Sequence, residues 1–305
     1  MHISHRLLPA AVALLVSAWA WGDTPGNFEK EVAADAHGVV QISSTNGTID
    51  VTGWDRAAVS VKAELTPDVD HVEVTSSGNH TVIRVVQRPH GGMGSYNFGH
   101  DETHLRVQVP KDSELDVSTV SAHVSSAGVL GTQRLKTVSG DITADIGPSD
   151  IEVKSVSGSL KLRGKGQPAK LHVSTVSGDL ELKHAAGDLE ATTVSGGITA
   201  DLDPARSARL RSTSGDITFE GRLVRGADFD AQSVSGDLKV RAGSEDGFEF
   251  EAATVTGDIK DCFNVEAEHT SQYGPGRKLN GARGGGGGHM RLKSMSGEIE
   301  LCDRK

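Results

Sequence analysis

Six acidic residues recur at one position of a repeated phrase: Asp141, Asp179, Asp216, Asp237, Asp258 and Glu298. If the phrases stack, these acids form a column with neighbours about 4.8 Å apart. Carboxylates that close repel unless something bridges them. A calcium ion would do so through carboxylate oxygens. Alternatively each acid accepts from a backbone amide beside the adjacent glycine, as turn aspartates do, and this needs no ligand. A second candidate centre is His90, His100 and His104, in the glycine-rich stretch PHGGMGSYNFGHDETH. His100 and His104 have a metal-ligand spacing. No cysteine supports them, so a solvated hairpin loop is the expectation. The third pair is Cys262 and Cys302, each directly after a copy of the phrase.

The phrase itself positions all of this. TVSGDITA (137–144) is followed by SVSGSLKL, TVSGDLEL, TVSGGITA, STSGDITF, SVSGDLKV, TVTGDIKD and SMSGEIEL, and preceded by the weaker TVSAHVSS at 119–126. From that first copy onward the starts lie 18, 18, 20, 18, 19, 21, 21 and 40 residues apart. A period near 20 with this self-similarity is the mark of a solenoid. Each turn reads as two short strands. Upstream of the phrase at 175, Leu171 and Val173 alternate with polar residues, which is a half-buried strand. Within it, Val176, Gly178, Leu180 and Leu182 share one parity and read as the inward set. The step from Val173 to Val176 is odd, so a corner is expected near Ser174–Thr175. Glycine on the inward track fits a bend with no room for a side chain. Thr137/Ser139, Thr175/Ser177, Thr193/Ser195, Ser233/Ser235 and Thr254/Thr256 then face outward as paired hydroxyl rows, resembling flat ice-binding arrays. Hydroxyls bonding the corner backbone explain them more simply.

Stacked in this way, the chain is an all-β parallel β-solenoid, or β-helix, of about 8–9 coils spanning 111–302. Residues 28–110 lack the phrase. They contain alternating strands and Asn46-Gly47, a hairpin turn signal, so an N-terminal, sandwich-like β-sheet region capping the solenoid is expected. Connectors between turns vary in length and several are basic (Arg163, Lys165, Lys170, Arg206, Arg222, Arg225), which loop solvation explains. The longest, 263–290, carries five consecutive glycines and reads as a flexible loop extruded from the last pair of coils.

Residues 1–20 read as a secretory signal peptide: His2, His5 and Arg6, an apolar run from Leu7 to Val16, then Ala18-Trp19-Ala20. The run is shorter than the ~20 residues of a spanning helix, and no transmembrane span is expected. The product is then periplasmic or extracellular. The net charge, −10 for the full chain and one unit more negative once Arg6 leaves with residues 1–20, argues against nucleic acid or an anionic membrane surface as a partner. Export permits a disulfide. Cys262 and Cys302 share one register, so in adjacent coils their Cα atoms fall within the disulfide window of roughly 4.4–6.8 Å.

The repeated T-V-S-G-D-[IL] unit, with LRVQVPKDSELDVSTVSA (105–122) before it, resembles a bacterial family of exported β-strand-repeat proteins labelled adhesin-like, domain of unknown function 4097. The resemblance spans about residues 28–302. It implies a parallel β-solenoid with an N-terminal β region and an envelope or extracellular role, and supplies no catalytic residues. The function expected is a non-catalytic binding or structural module of the cell envelope, its partner an envelope component or surface ligand, protein or glycan. The alternatives are a polysaccharide-active β-helix enzyme and a calcium-dependent adhesion module. An active site should break the repeat with clustered carboxylates. Here the acids obey the repeat, and its departures (Ser159, Gly197) remove acid.

Overall fold

A computed structural model describes residues 26–88, 102–270, 274–285 and 287–304. The described residues are all-β and solenoid-like, and the phrase organises them. Each turn has a first leg before the phrase's glycine and a second leg after it. The legs pair in parallel with their counterparts in neighbouring turns: Ile151–Lys154 lies between Gln133–Lys136 and part of Pro168–Ser174, with Val153 opposite both Leu135 and Val173. Leu160–Arg163 lies likewise between Ile142–Asp145 and the start of Leu180–Ser195. Further along, Leu180–Ser195, Ile198–Ser214 and Ile217–Ser235 each run from one second leg through the connector into the next first leg.

Inward residues are aliphatic through the middle of the stack. Ile151, Val153, Leu160, Leu162, Leu171, Val173, Leu180 and Leu182 are all buried. Towards the C-terminal end the interior fills with rings. Five of the seven phenylalanines sit there, including Phe219 against Phe229 at 4.5 Å and Phe263 against Phe250 at 5.5 Å. Phe248 and Phe250 belong to the outermost turn, whereas Phe219 and Phe229 lie further in, with turns paired on both sides.

The inward set differs from the sequence expectation at the corner. Thr137, Ser155, Thr175, Thr193, Ser212, Ser233, Thr254 and Ser294 are buried, whereas Val138, Val156, Val176, Val194 and Val234 are 45–46% exposed. The alternation of Leu171 and Val173 therefore continues to Thr175 without an odd step. The bend falls at Ser177–Gly178, not at Ser174–Thr175. The reason is local crowding. A Cβ on Gly178 would lie 2.1 Å from the carbonyl oxygen of Gly158, and Gly158 stands in the same relation to Gly140. The slot beside stacked glycine backbones admits a small hydroxyl residue that can bond a carbonyl. Ser212, Ser233, Ser294 and Thr254 donate to glycine carbonyls of the neighbouring turn at 3.2–3.3 Å. The outward paired hydroxyl rows, and with them a flat hydroxyl array, are not formed.

Asn46-Gly47 is not a hairpin. The single strand Val39–Trp54 runs through it and pairs in parallel with Glu114–Ala127, with Asn46 opposite Ser121 and Gly47 opposite Ala122. STNGTIDV is thus a degenerate copy of the phrase, and its glycine (φ 100°) makes the same corner. Below it, His80–Gln87 and His104–Pro110 add parallel legs. Antiparallel partners follow: Val69–Ser77 on the former, Ala58–Glu64 on the latter, and Asn27–Ala33 on Ala58–Glu64. The change from parallel to antiparallel covers edges that a bare turn would expose.

The C-terminal end holds a reordering. His289–Ser296 pairs with the end of Ile217–Ser235 on one side and with Gly247–Thr256 on the other, Met290 facing both Phe229 and Phe250. Second legs agree: Ile299 faces both Leu238 and Ile259. The turn last in sequence therefore lies inside the one before it. The intervening segment is not simply an extruded loop, because Arg277–Gly284 forms an antiparallel strand along the outer edge of Gly247–Thr256. That pairing closes the end of the stack.

Candidate functional site: a valine ridge with a groove at one end

Outside the bend, one side chain per turn projects outward. In stack order these are Val120, Val138, Val156, Val176, Val194, Thr213, Val234, Met295 and Val255. Val255 is 55% and Met295 56% exposed. The ridge is rigid. Val138 O accepts from Ser157 N at 2.8 Å, Val156 O from Ser177 N at 2.8 Å and Val176 O from Ser195 N at 2.8 Å. Periodic apolar exposure is more informative than scattered surface valines. The sequence signal for it was present. The buried slot is always Ser or Thr, while the ridge slot changes to Thr213 and Met295, a latitude that suits a side chain facing solvent.

On one flank, the outward residues just before the buried hydroxyl include Lys136, Lys154, Arg211 and Lys293. The acidic column lies on the other. Its carboxylates cross from turn to turn: Asp141 accepts from Ser159 N, Asp179 from Gly197 N, Asp216 from Asp237 N and Asp237 from Glu298 N, each at 2.8 Å. Each of these four acids thus takes the amide of the next turn, where the bend interrupts the strand pairing. Asp258, in the outermost turn, meets Arg277 at 3.1 Å and Glu298 meets Lys260 at 2.7 Å. This arrangement makes a prediction. Asp179→Ala should cost about 1 kcal/mol, the usual worth of an exposed hydrogen bond, and equally so in calcium and in chelator. Urea melts under both conditions check it; a cost confined to calcium would assign the column to the cation.

Of the histidines, His104 opens His104–Pro110, while His90 and His100 lie outside the described residues. Among the described residues no three His, Cys, Asp or Glu side chains gather as a metal site. Cys262 and Cys302 are joined in a disulfide, with Cα atoms 4.8 Å apart. Three connector arginines reach the adjacent connector. Arg206 binds Asp188, Arg222 binds Asp203 and Arg225 binds Asp246. The hydrogen bond from Arg206 holds the Asp188 carboxyl below the usual carboxylate range, and Arg225 does the same to Asp246. Exposed pairs of this kind contribute little to stability. No ion pair involves Arg163, Lys165 or Lys170 among the described residues.

At its C-terminal end the ridge becomes the floor of a groove of about 890 Å³. Thr270, Gly274, Pro275 and Gly276 wall it, and Thr270 N donates to Gly276 O at 2.9 Å. The profile of one protein family, Toastrack DUF4097, matches residues 37–247. The chain belongs to the Toastrack DUF4097 family. The matched span contains most of the ridge and ends before the reordered turns and the groove wall.

No curated protein matches the chain significantly. Among solved structures, it is similar to a candidate adhesin from Bacteroides fragilis (10% identity, TM-score 0.33), covering 91% of this chain and 98% of that one. It is also similar to a candidate adhesin from Parabacteroides merdae (12% identity, TM-score 0.29; 90% and 95% covered). A third is a candidate cell adhesion protein from Clostridium sporogenes (9% identity, TM-score 0.24; 91% and 100% covered). Among the described residues no helix is long and apolar enough to cross a membrane.

Proposed function

We propose that this member of the Toastrack DUF4097 family serves as a non-catalytic, adhesin-like binding module of the bacterial cell envelope, exported by the signal peptide at 1–20 and engaging its partner through the valine ridge. The observation that carries this reading is the ridge itself. Turn after turn leaves an apolar side chain nearly half exposed where a polar one would fit. The stack of about 8–9 coils holds those side chains at a fixed spacing of roughly 4.8 Å, a preorganised surface that loses little entropy on binding. A non-catalytic role is supported by the acids. They stand at most one per turn, and four of them accept backbone amides, whereas glycoside chemistry wants two carboxylates converging on one bond.

The test is retention of the purified mature protein on bacterial envelope fractions, beside a variant carrying Val138→Ser, Val156→Ser and Val176→Ser. All three side chains face solvent, so folding should be unaffected. Retention should fall about tenfold. Equal retention of the variant would reject the ridge as the binding face, and turnover of pectin-like, alginate-like or glucan polymers would reject the non-catalytic reading.

A further inference from the structure

The groove differs from the rest of the ridge in shape and in charge. Its floor crosses five turns, in stack order Val194, Thr213, Val234, Met295 and Val255, a length of roughly 19 Å at one strand spacing per step. Its volume of about 890 Å³ lies in the range of small-molecule sites. Among the described residues no Asp or Glu lines it, in a chain with 41 acids. Two cations do, Arg211 and Lys293. Neither makes an ion pair among the described residues. Arg209 and Arg291, two positions earlier on the same strands, are both paired, with Asp228 and Glu251. Arg211 and Lys293 lie two turns apart with Gln232 between them, so their long side chains can converge on one anion. The backbone of the floor offers nothing further. Its inner first legs are paired on both sides, and the outermost, Gly247–Thr256, is covered by Arg277–Gly284. An extended peptide therefore finds no edge on which to form strand hydrogen bonds.

We infer that this groove binds one long-chain carboxylate, its alkyl chain along Val194, Val234, Val255 and Met295 and its head group held by Arg211 and Lys293. The inference rests on the ridge being the binding face and names the ligand class at its walled end. The apolar floor supplies the affinity through removal of alkyl surface from water. The two cations distinguish an acid from an alcohol of the same length.

The experiment uses the mature chain with its disulfide intact and the fluorescent fatty acid cis-parinarate as probe. Saturable binding is expected, displaced by dodecanoate and about tenfold less well by dodecanol. The double variant Arg211→Gln/Lys293→Gln should weaken parinarate about tenfold with an unchanged melting temperature. Val138→Ser/Val156→Ser, outside the groove, should leave parinarate binding intact while reducing retention on envelopes. Absence of saturable binding, equal competition by the alcohol, or full affinity in the double variant would overturn the inference. Sedimentation with phosphatidylglycerol vesicles in place of monomer binding would also overturn it, because it would assign the face to a bilayer surface. Parinarate binding without envelope retention would leave the groove standing and remove only the wider reading of the ridge.

Discussion

Gly178→Ala is expected to cost about 3–5 kcal/mol, among the largest effects of any single substitution outside a disulfide or metal site. The added Cβ would lie 2.1 Å from the Gly158 carbonyl oxygen and 2.7 Å from its carbon. Both are backbone atoms with no rotamer to escape into. Gly158 is itself held, since its amide donates to Ser177 O at 3.0 Å, while Gly178 N donates to Ser195 O at 3.0 Å. Relief requires two turns to move apart, breaking the hydrogen bonds on either side of the bend. The φ of +154° at Gly178 is a further obstacle to a side chain. Gly166→Ala is the control. Gly166 also has a positive φ (+74°), but no atom lies within 4 Å of the added Cβ, so only the left-handed backbone penalty of roughly 1–2 kcal/mol remains. In a stack where each turn touches only its neighbours, the Gly178 defect should open the turns around it first. Amide exchange at Val173 and Leu180 should accelerate far more than at Val117. Equal urea midpoints for the two variants would remove the glycine column as the source of the bend.

The contrast also shows which parts of the fold were legible in the sequence. The period and the glycine at the bend of each copy from 137 onward were plain, because Gly178, Gly196 and Gly215 each need backbone contact in the same place. The facing of Val176 was not. Apolar residues are usually placed inward, and Thr175 has nearly the same volume as valine, so alternation alone could not decide which of the two enters the interior. In the later turns the difference is polar: Ser212, Ser233, Thr254 and Ser294 donate to glycine carbonyls that a valine could not satisfy, and those carbonyls are in place only once the turns are stacked. Thr175 takes the same slot with no partner for its hydroxyl among the described residues. The hairpin reading of Asn46-Gly47 failed for a related reason. An Asn-Gly pair satisfies either a two-residue turn or a solenoid bend, and only the long-range partners Ser121 and Ala122 separate them. The candidate site was half visible. The acidic column was legible by repetition, while its amide partners required knowledge of the next turn's height.

The order of the last turns was not legible at all, because SVSGDLKV, TVTGDIKD and SMSGEIEL are interchangeable in register. It has a mechanical consequence. The outermost unit, Gly247–Thr256 with Arg277–Gly284, reaches the body of the stack chiefly through the inserted turn His289–Asp303. The Cys262–Cys302 disulfide, spanning 40 residues, ties those two turns together. Replacing both cysteines by serine should therefore destabilise this unit by about 4 kcal/mol on chain-entropy grounds, with little effect elsewhere. Amide exchange at Ala252 and Ile259 should quicken about a thousandfold, while Val153 and Leu180 keep their protection. Peeling of the unit would bare the outer edge of His289–Ser296, and an unpaired edge invites pairing with another chain. Concentration-dependent association should accompany reduction. The groove wall formed by Thr270, Gly274, Pro275 and Gly276 belongs to the same unit, so parinarate binding should fall with it under reducing conditions. Uniform acceleration of exchange through the whole stack would instead mean that the disulfide supports the body of the solenoid, and that the outer turns do not open as a separate piece.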